Sequence, residues 1–197
     1  MKKAVIIIVL VLLIDQISKI WIKTHFVLGQ EIRVFDWFRI HFIENNGMAW
    51  GTEFGGDKGK LFLTLFRLVA ITGIGYWLYS SVKSKASNLL VVAVALIFAG
   101  ALGNIIDSVF YGVIFSESNY HEVATMFPEM GYRPLFYGKV VDMLYFPIWK
   151  GDLPSWIPIV GGKPFTFFNA IFNIADTAIS VGVGILIVFS KKVFPKK

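Results

Sequence analysis

Four stretches of the chain are each apolar over about the 20 residues that a helix needs to cross a ~30 Å bilayer core. They span about residues 4–22, 61–79, 89–106 and 167–189. They are spread along the whole of the 197 residues, so one integral membrane domain over 1–197 is expected. Charge content points the same way: 16% of residues are charged, against about 25% in a soluble domain. The net charge of +6 would suit nucleic acid, but its position argues for a membrane. Lys2 and Lys3, Lys83 and Lys85, and Lys191, Lys192, Lys196 and Lys197 flank the apolar stretches, as the positive-inside rule requires of cytoplasmic ends. Both termini are expected inside, and the long connections 23–60 and 107–166 outside. The first stretch begins like a signal peptide but lacks a small-residue cleavage site, so a retained helix is expected. Membrane lipids are the expected surroundings, and no nucleic acid is expected as a partner.

The outer connections have a pattern of their own. Ile32, Val34, Phe38, Ile40 and Phe42 alternate with Arg33, Arg39 and His41 around Phe35-Asp36-Trp37. That period predicts two short strands and a turn within about 26–50, a small extracytoplasmic β platform with one apolar face. The second connection holds six of the seven prolines, Pro128 to Pro164, together with Trp149 and Trp156. Prolines exclude long regular elements, and tryptophans favour the headgroup zone. The expected fold class is therefore membrane all-α, with four transmembrane helices, the β platform and a long Pro/Trp-rich outer connection.

Polar residues inside such helices are costly and are functional candidates by default. Asp15, Arg67 and Asp176 fall between about 9 and 14 Å below the outer surface at 1.5 Å per residue. Asn104 and Asp107 close the outer end of the third helix. All lie in the outer half, which predicts a polar site opening outward. Asn169, Asn173, Asp176 and Ser180 are spaced 4, 3 and 4, as one helix stripe would be. Asp15 and Lys19 are spaced to pair within the first helix. On residues alone, Asp15, Arg67 and Asp107 read as structural, and Asp176 as functional because no basic residue shares its helix face. A carboxylate at a helix carboxyl terminus is disfavoured, so Asp107 is expected to have a compensating partner.

The available chemistries are few. With no Cys there is no disulfide, thiolate metal site or Cys nucleophile. Ser18 and Lys19 point about 100° apart on a helix and cannot act as nucleophile and base. His25, His41 and His121 are scattered, so no metal and no cofactor is expected. Gly55-Gly56-Asp57 lies in a polar loop and falls short of a GxGD motif. Two uses of membrane-embedded carboxylates stay open: a hydrolytic pair sharing one proton, or the proton relay of a coupled transporter or channel component.

Five motifs carry a resemblance: Asp15-Gln16-Ile17-Ser18-Lys19, Asn45-Asn46-Gly47-Met48-Ala49-Trp50, Gly100-Ala101-Leu102-Gly103-Asn104-Ile105-Ile106-Asp107, Val140-Val141-Asp142-Met143, and Phe172-Asn173-Ile174-Ala175-Asp176-Thr177-Ala178-Ile179. In this order, nearly end to end, the chain resembles the lipoprotein signal peptidases (signal peptidase II). The resemblance implies an aspartic endopeptidase of the bacterial cytoplasmic (inner) membrane, acting on its outer side. Its substrates would be diacylglyceryl-modified prolipoproteins, cut just before the lipidated Cys. It also implies Asp142 and Asp176 as the catalytic pair, with Asn45, Asn104, Asp107 and Asn173 lining or bracing the site and Asp15 supporting the first helix. Read by itself, Asp142 would be a turn residue. The chain departs from the family where Arg usually follows the third-helix Asp and Ser108 stands instead. The stretch from there to Asp142 is also long, and its Arg133 or Lys139 is expected to supply the missing charge.

Overall fold

The computed structural model describes residues 1–46 and 55–194. Gly47 to Trp50 of the second motif lie outside the described residues. Helix α1 runs Lys2–His25, α2 Gly56–Lys83 and α3 Asn88–Ile106. Among the described residues, these three are long and apolar enough to cross a membrane. Outward-facing Val5, Ile6, Leu13, Ile14 and Ile17 of α1 are 50–63% exposed, an inside-out pattern that only a lipid solvent satisfies. Helix α2 starts earlier than the expected 61, because Gly56-Asp57-Lys58-Gly59-Lys60 already winds helically.

Helix α3 does not stop at Asp107. Asp107–Tyr111 continues it as a single π turn, followed by the short helix α4, Gly112–Ile114. Asp107 is therefore not a helix terminus, and the dipole argument against its carboxylate does not apply. The last helix, α5, spans Ile174–Val188, and a four-residue helix α6, Ser190–Val193, follows it. It was expected from 167. Instead Asn173 ends the extended chain as N-cap, and Asn169 lies before it in a loop, accepting a hydrogen bond from the Tyr145 hydroxyl at 2.9 Å. The polar stripe thus loses its first member.

The expected strand pair is β1, Glu31–Phe35, with β2, Phe38–Asn45; they pair antiparallel with Ile32 opposite Ile40. Two further strands join it: β3, Val140–Tyr145, and β6, Ile171–Phe172, in the order β1-β2-β3-β6. Strands β4, Trp149–Asp152, and β5, Pro164–Phe167, make a separate hairpin within the proline-rich connection. Asp142 thus sits inside a strand rather than in a turn. Val141 and Met143 pack into a cluster with Ile22, Phe26, Phe42, Tyr111 and Phe115. Since strand side chains alternate, Asp142 faces the other way.

Glycines set how closely the helices approach. A Cβ on Gly100 would lie 2.2 Å from the Ala175 carbonyl oxygen, and one on Gly103 2.7 Å from Asp15 Oδ2. The first obstacle is backbone, so α3 and α5 would have to separate. Gly100→Val is expected to lower stability by at least about 1–3 kcal/mol, the usual cost of overpacking. Thermal unfolding in detergent checks this, and an unchanged midpoint would contradict the close approach.

Candidate functional site

The site is built where α1, α3, β3 and the start of α5 meet. At the amino end of α5, Asn173 and Asp176 form a capping box: Asn173 Oδ1 accepts from the Asp176 amide at 2.9 Å, and Asp176 Oδ2 accepts from the Asn173 amide at 3.3 Å. An Asn cap with an acidic residue three positions on satisfies two otherwise orphaned amides. The same Asn173 side chain donates to Asp142 Oδ1 at 2.7 Å. One residue therefore holds both aspartates. Asn45, at the end of β2, donates to Asp142 Oδ2, and Asn104 donates to Asp176 Oδ1 at 2.8 Å. Asn173 also donates to Asn104 Oδ1 at 3.1 Å.

Asp142 is 2% exposed, whereas Asp176 is partly open. Burial, and then the charge of Asp176, push the Asp142 carboxyl up to about 8, against the opposing effects of Lys19 and the Asn173 hydrogen bond. Beside Asp176 lies a cavity of about 190 Å³ between α2, α3 and α5, lined by Arg67, Ile71, Ala101, Asn104, Ile105 and Ile179 among others. Its walls are mostly apolar.

Behind this layer is a buried ionic layer. The Lys19 ammonium lies 2.9 Å from Asp15, 2.8 Å from Asp107 and 2.8 Å from Asn104 Oδ1, and neither it nor either carboxylate is exposed. Asp107 has the expected partner, required by its burial rather than by a helix end, and the Val141 amide also donates to it at 3.3 Å. Asp15 Oδ1 accepts from the Ala175 amide at 2.8 Å, fixing the first turn of α5 to α1. Gln16 bridges the layer, donating to Asp15, Asp107 and the Gly103 carbonyl.

All seven residues picked out from the sequence, Asp15, Asn45, Asn104, Asp107, Asp142, Asn173 and Asp176, come together here. Lys19 and Gln16 were read only as part of a motif; their spacing from Asp15 was visible, but their bonds to Asp107 are tertiary. Arg133 and Lys139, from which the missing charge was expected, pair with carboxylates rather than with Ser108. Arg133 pairs with Asp57 at 3.2 Å on the surface, and Lys139 lies 3.8 Å from Glu44 and 3.9 Å from Glu117. The cation beside Ser108 is Lys60, 3.4 Å from its hydroxyl. Lys60 was not expected here because it lies outside the stretch between Asp107 and Asp142, from which the charge was expected.

Membrane-length helices around a buried group of carboxylates and amides make this a membrane protein equipped for acid–base chemistry. Residues 7–192 match the family model described as Signal peptidase (SPase) II. A lipoprotein signal peptidase of Porphyromonas gingivalis is 50% identical over 189 residues, covering 95% of this chain and 82% of that one. One from Amoebophilus asiaticus is 36% identical over 182 residues, covering 90% and 73%. A bacterial membrane enzyme structure, determined by the in meso method at 2.3 Å resolution, matches with a TM-score of 0.66 and 26% identity, covering 100% of this chain and 93% of its own. The chain belongs to the signal peptidase II family. The transporter alternative finds no support.

Proposed function

We infer that the chain is a lipoprotein signal peptidase in which Asp142 and Asp176 form the hydrolytic pair, acting on diacylglyceryl-modified prolipoproteins. The observation that carries the assignment is Asn173, which holds one oxygen of each carboxylate, at 2.7 Å by its side chain and 3.3 Å by its amide. Burial and the charge of Asp176 favour the neutral form of Asp142. Asp142 is then the acid and Asp176, open to the cavity, the base. Asp176 takes a proton from water, the resulting hydroxyl bonds to the scissile carbonyl carbon, and Asp142 gives its proton to the carbonyl oxygen. Collapse of that intermediate breaks the C–N bond as the leaving amine takes the proton from Asp176 and a hydroxyl of the intermediate returns one to Asp142, re-forming the carbonyl and restoring the pair. The apolar cavity beside Asp176 suits a substrate that arrives from the lipid.

The four-crossing topology belongs to the same proposal. Helix α5 has 15 residues, about 22 Å at 1.5 Å each. With Phe189 and α6 the helical path runs from Ile174 to Val193, which reaches about 30 Å. Four crossings with the basic ends inside put the pair on the outer side of the cytoplasmic membrane. Lipids enclose the helices, and no metal is assigned a role: Lys19 already bridges Asp15 and Asp107.

The test is cleavage of a lipidated precursor by detergent-purified protein with no ion gradient. Mass spectrometry should place the cut immediately before the modified Cys, and the unlipidated precursor should be a much poorer substrate. The pH–rate profile should be bell-shaped, because the pair needs one proton and no more. Asp142 must hold that proton, so activity should fall as pH rises through about 8. Equal cleavage of both precursors, or a rate still climbing above that pH, would count against the reading.

A further inference from the structure

We propose that Lys60 is a positioning residue of this active site: from helix α2 it holds the end of β2, and with it Asn45, against Asp142. The inference rests on the reading of Asp142 as half of the hydrolytic pair. Its ammonium donates to the Asn46 carbonyl at 3.0 Å and to Ser108 Oγ at 3.4 Å. Asn46 directly follows Asn45, whose side chain donates to Asp142 Oδ2. Ser108 directly follows Asp107, at the position where the family motif carries Arg, and it is fully buried. A small side chain there leaves room for a cation to enter from the neighbouring helix. The charge is kept and its origin moves from α3 to α2.

The turn that presents Lys60 is itself fixed. Thr64, one turn on, donates to the Lys60 carbonyl at 3.0 Å and to the Phe136 carbonyl at 3.1 Å. Phe136 in turn donates its amide to Val109 at 3.0 Å, and Gly138 donates to the Ser108 carbonyl at 2.9 Å. Helix α2, the π turn and the approach to β3 thus form one frame around the ammonium. Stability alone does not account for Lys60. It is 7% exposed, yet among the described residues no carboxylate lies within 4.0 Å of its nitrogen. A buried ammonium that has no paired carboxylate costs stability. A cavity of about 250 Å³ beside it, which Asn46, Arg133 and Lys139 also line, leaves space for hydration.

Besides Asn45, the groups among the described residues that act on Asp142 are Asp176 from α5, Lys19 from α1, Asp107 in the π turn that continues α3 and Asn173 at the cap of α5. Loosening Asn45 removes a donor that favours the ionised carboxyl. Lys60→Met should therefore move the basic limb of the pH–rate profile upward and lower kcat roughly 10- to 100-fold, as displacement of a positioned group does. KM for the lipidated precursor should stay within about twofold, since substrate binding is not the lost function. Lys60→Arg should recover most of kcat, and so should Lys60→Met combined with Ser108→Arg. Asn45→Ala should reproduce the pH shift, and adding Lys60→Met to it should change little. A folded Lys60→Met protein with wild-type kcat and profile would overturn the proposal, as would a change in unfolding temperature alone. If Lys60→Met does not fold, Lys60→Ala, which cannot donate to Asn46 and leaves room for water, decides the matter by the same two readings. An inactive Asp142→Asn beside a normal Lys60→Met removes the positioning role and keeps the pair. An active Asp142→Asn removes both.

Discussion

Asp142→Asn and Asp176→Asn are each expected to abolish precursor cleavage in protein that still folds and inserts. Asn is nearly isosteric with Asp and can keep part of the hydrogen bonding from Asn45, Asn104 and Asn173. It cannot accept a proton from water or share one with a carboxylate. General acid–base action contributes about 10²–10⁴-fold, and groups acting as one unit are not additive. The double variant should therefore be hardly slower than either single one. Asp107→Asn should separate from both: it breaks the pairing with Lys19 at 2.8 Å, so yield and thermal stability should fall together with activity. The measurement is cleavage of lipidated precursor by each purified variant, with thermal unfolding as the control. More than a tenth of wild-type turnover in a folded Asp142→Asn or Asp176→Asn protein would end the assignment of this pair.

What could be read from the sequence follows from how each element meets its surroundings. Strands β1 and β2 were visible because polar and apolar residues alternate along them, around Ile32, Ile40 and Phe42, although β1 is exposed throughout. Strand β3 was not, because Val140 to Met143 are all buried and show no period. Asp142 therefore looked like a turn residue until a motif singled it out. The start of α5 was misplaced for a different reason. Asn169, Asn173 and Asp176 have helical spacing, yet Asn173 with an acid three residues later is also the signature of a helix start. The cap explained two of those residues without the third.

Helix ends in a membrane are poorly marked by hydropathy. The polar run Gly56 to Lys60 looked like loop, but in the headgroup zone a helix keeps its form while its side chains become polar. Lys60 stayed hidden for a further reason: it lies outside the stretch between Asp107 and Asp142, whose cations are Arg133 and Lys139. The contacts of Asp15 divide in the same way. Its pairing with Lys19 is local and visible at i,i+4, whereas its bond to the Ala175 amide spans 160 positions and belongs to packing alone.

Lys19 is where the largest loss of stability is expected. Its ammonium has three donors, and each has an acceptor: Asp15 at 2.9 Å, Asp107 at 2.8 Å and Asn104 Oδ1 at 2.8 Å. Lys19→Met keeps the length and much of the volume but leaves two carboxylates buried with no cation. Removing one partner from a buried ionic group costs about 3–5 kcal/mol, a large share of the roughly 5–15 kcal/mol that separates folded from unfolded protein. Here two partners are stranded at once, so Lys19→Met should fail to accumulate or should unfold far below the wild type. Lys19→Arg should not substitute cleanly, because a planar guanidinium needs a wider site than an ammonium. The discriminating variant replaces the whole group: Lys19→Met with Asp15→Asn and Asp107→Asn leaves no charge in this layer. That triple variant should regain much of the stability lost by the single one, since an uncharged set can match a buried ionic group in stability. Its cleavage should stay low, because Lys19 also fixes Asn104, which donates to Asp176. Thermal unfolding of the single and triple variants decides the point, and a Lys19→Met protein as stable as the wild type would show that the buried ionic layer does not hold the site together.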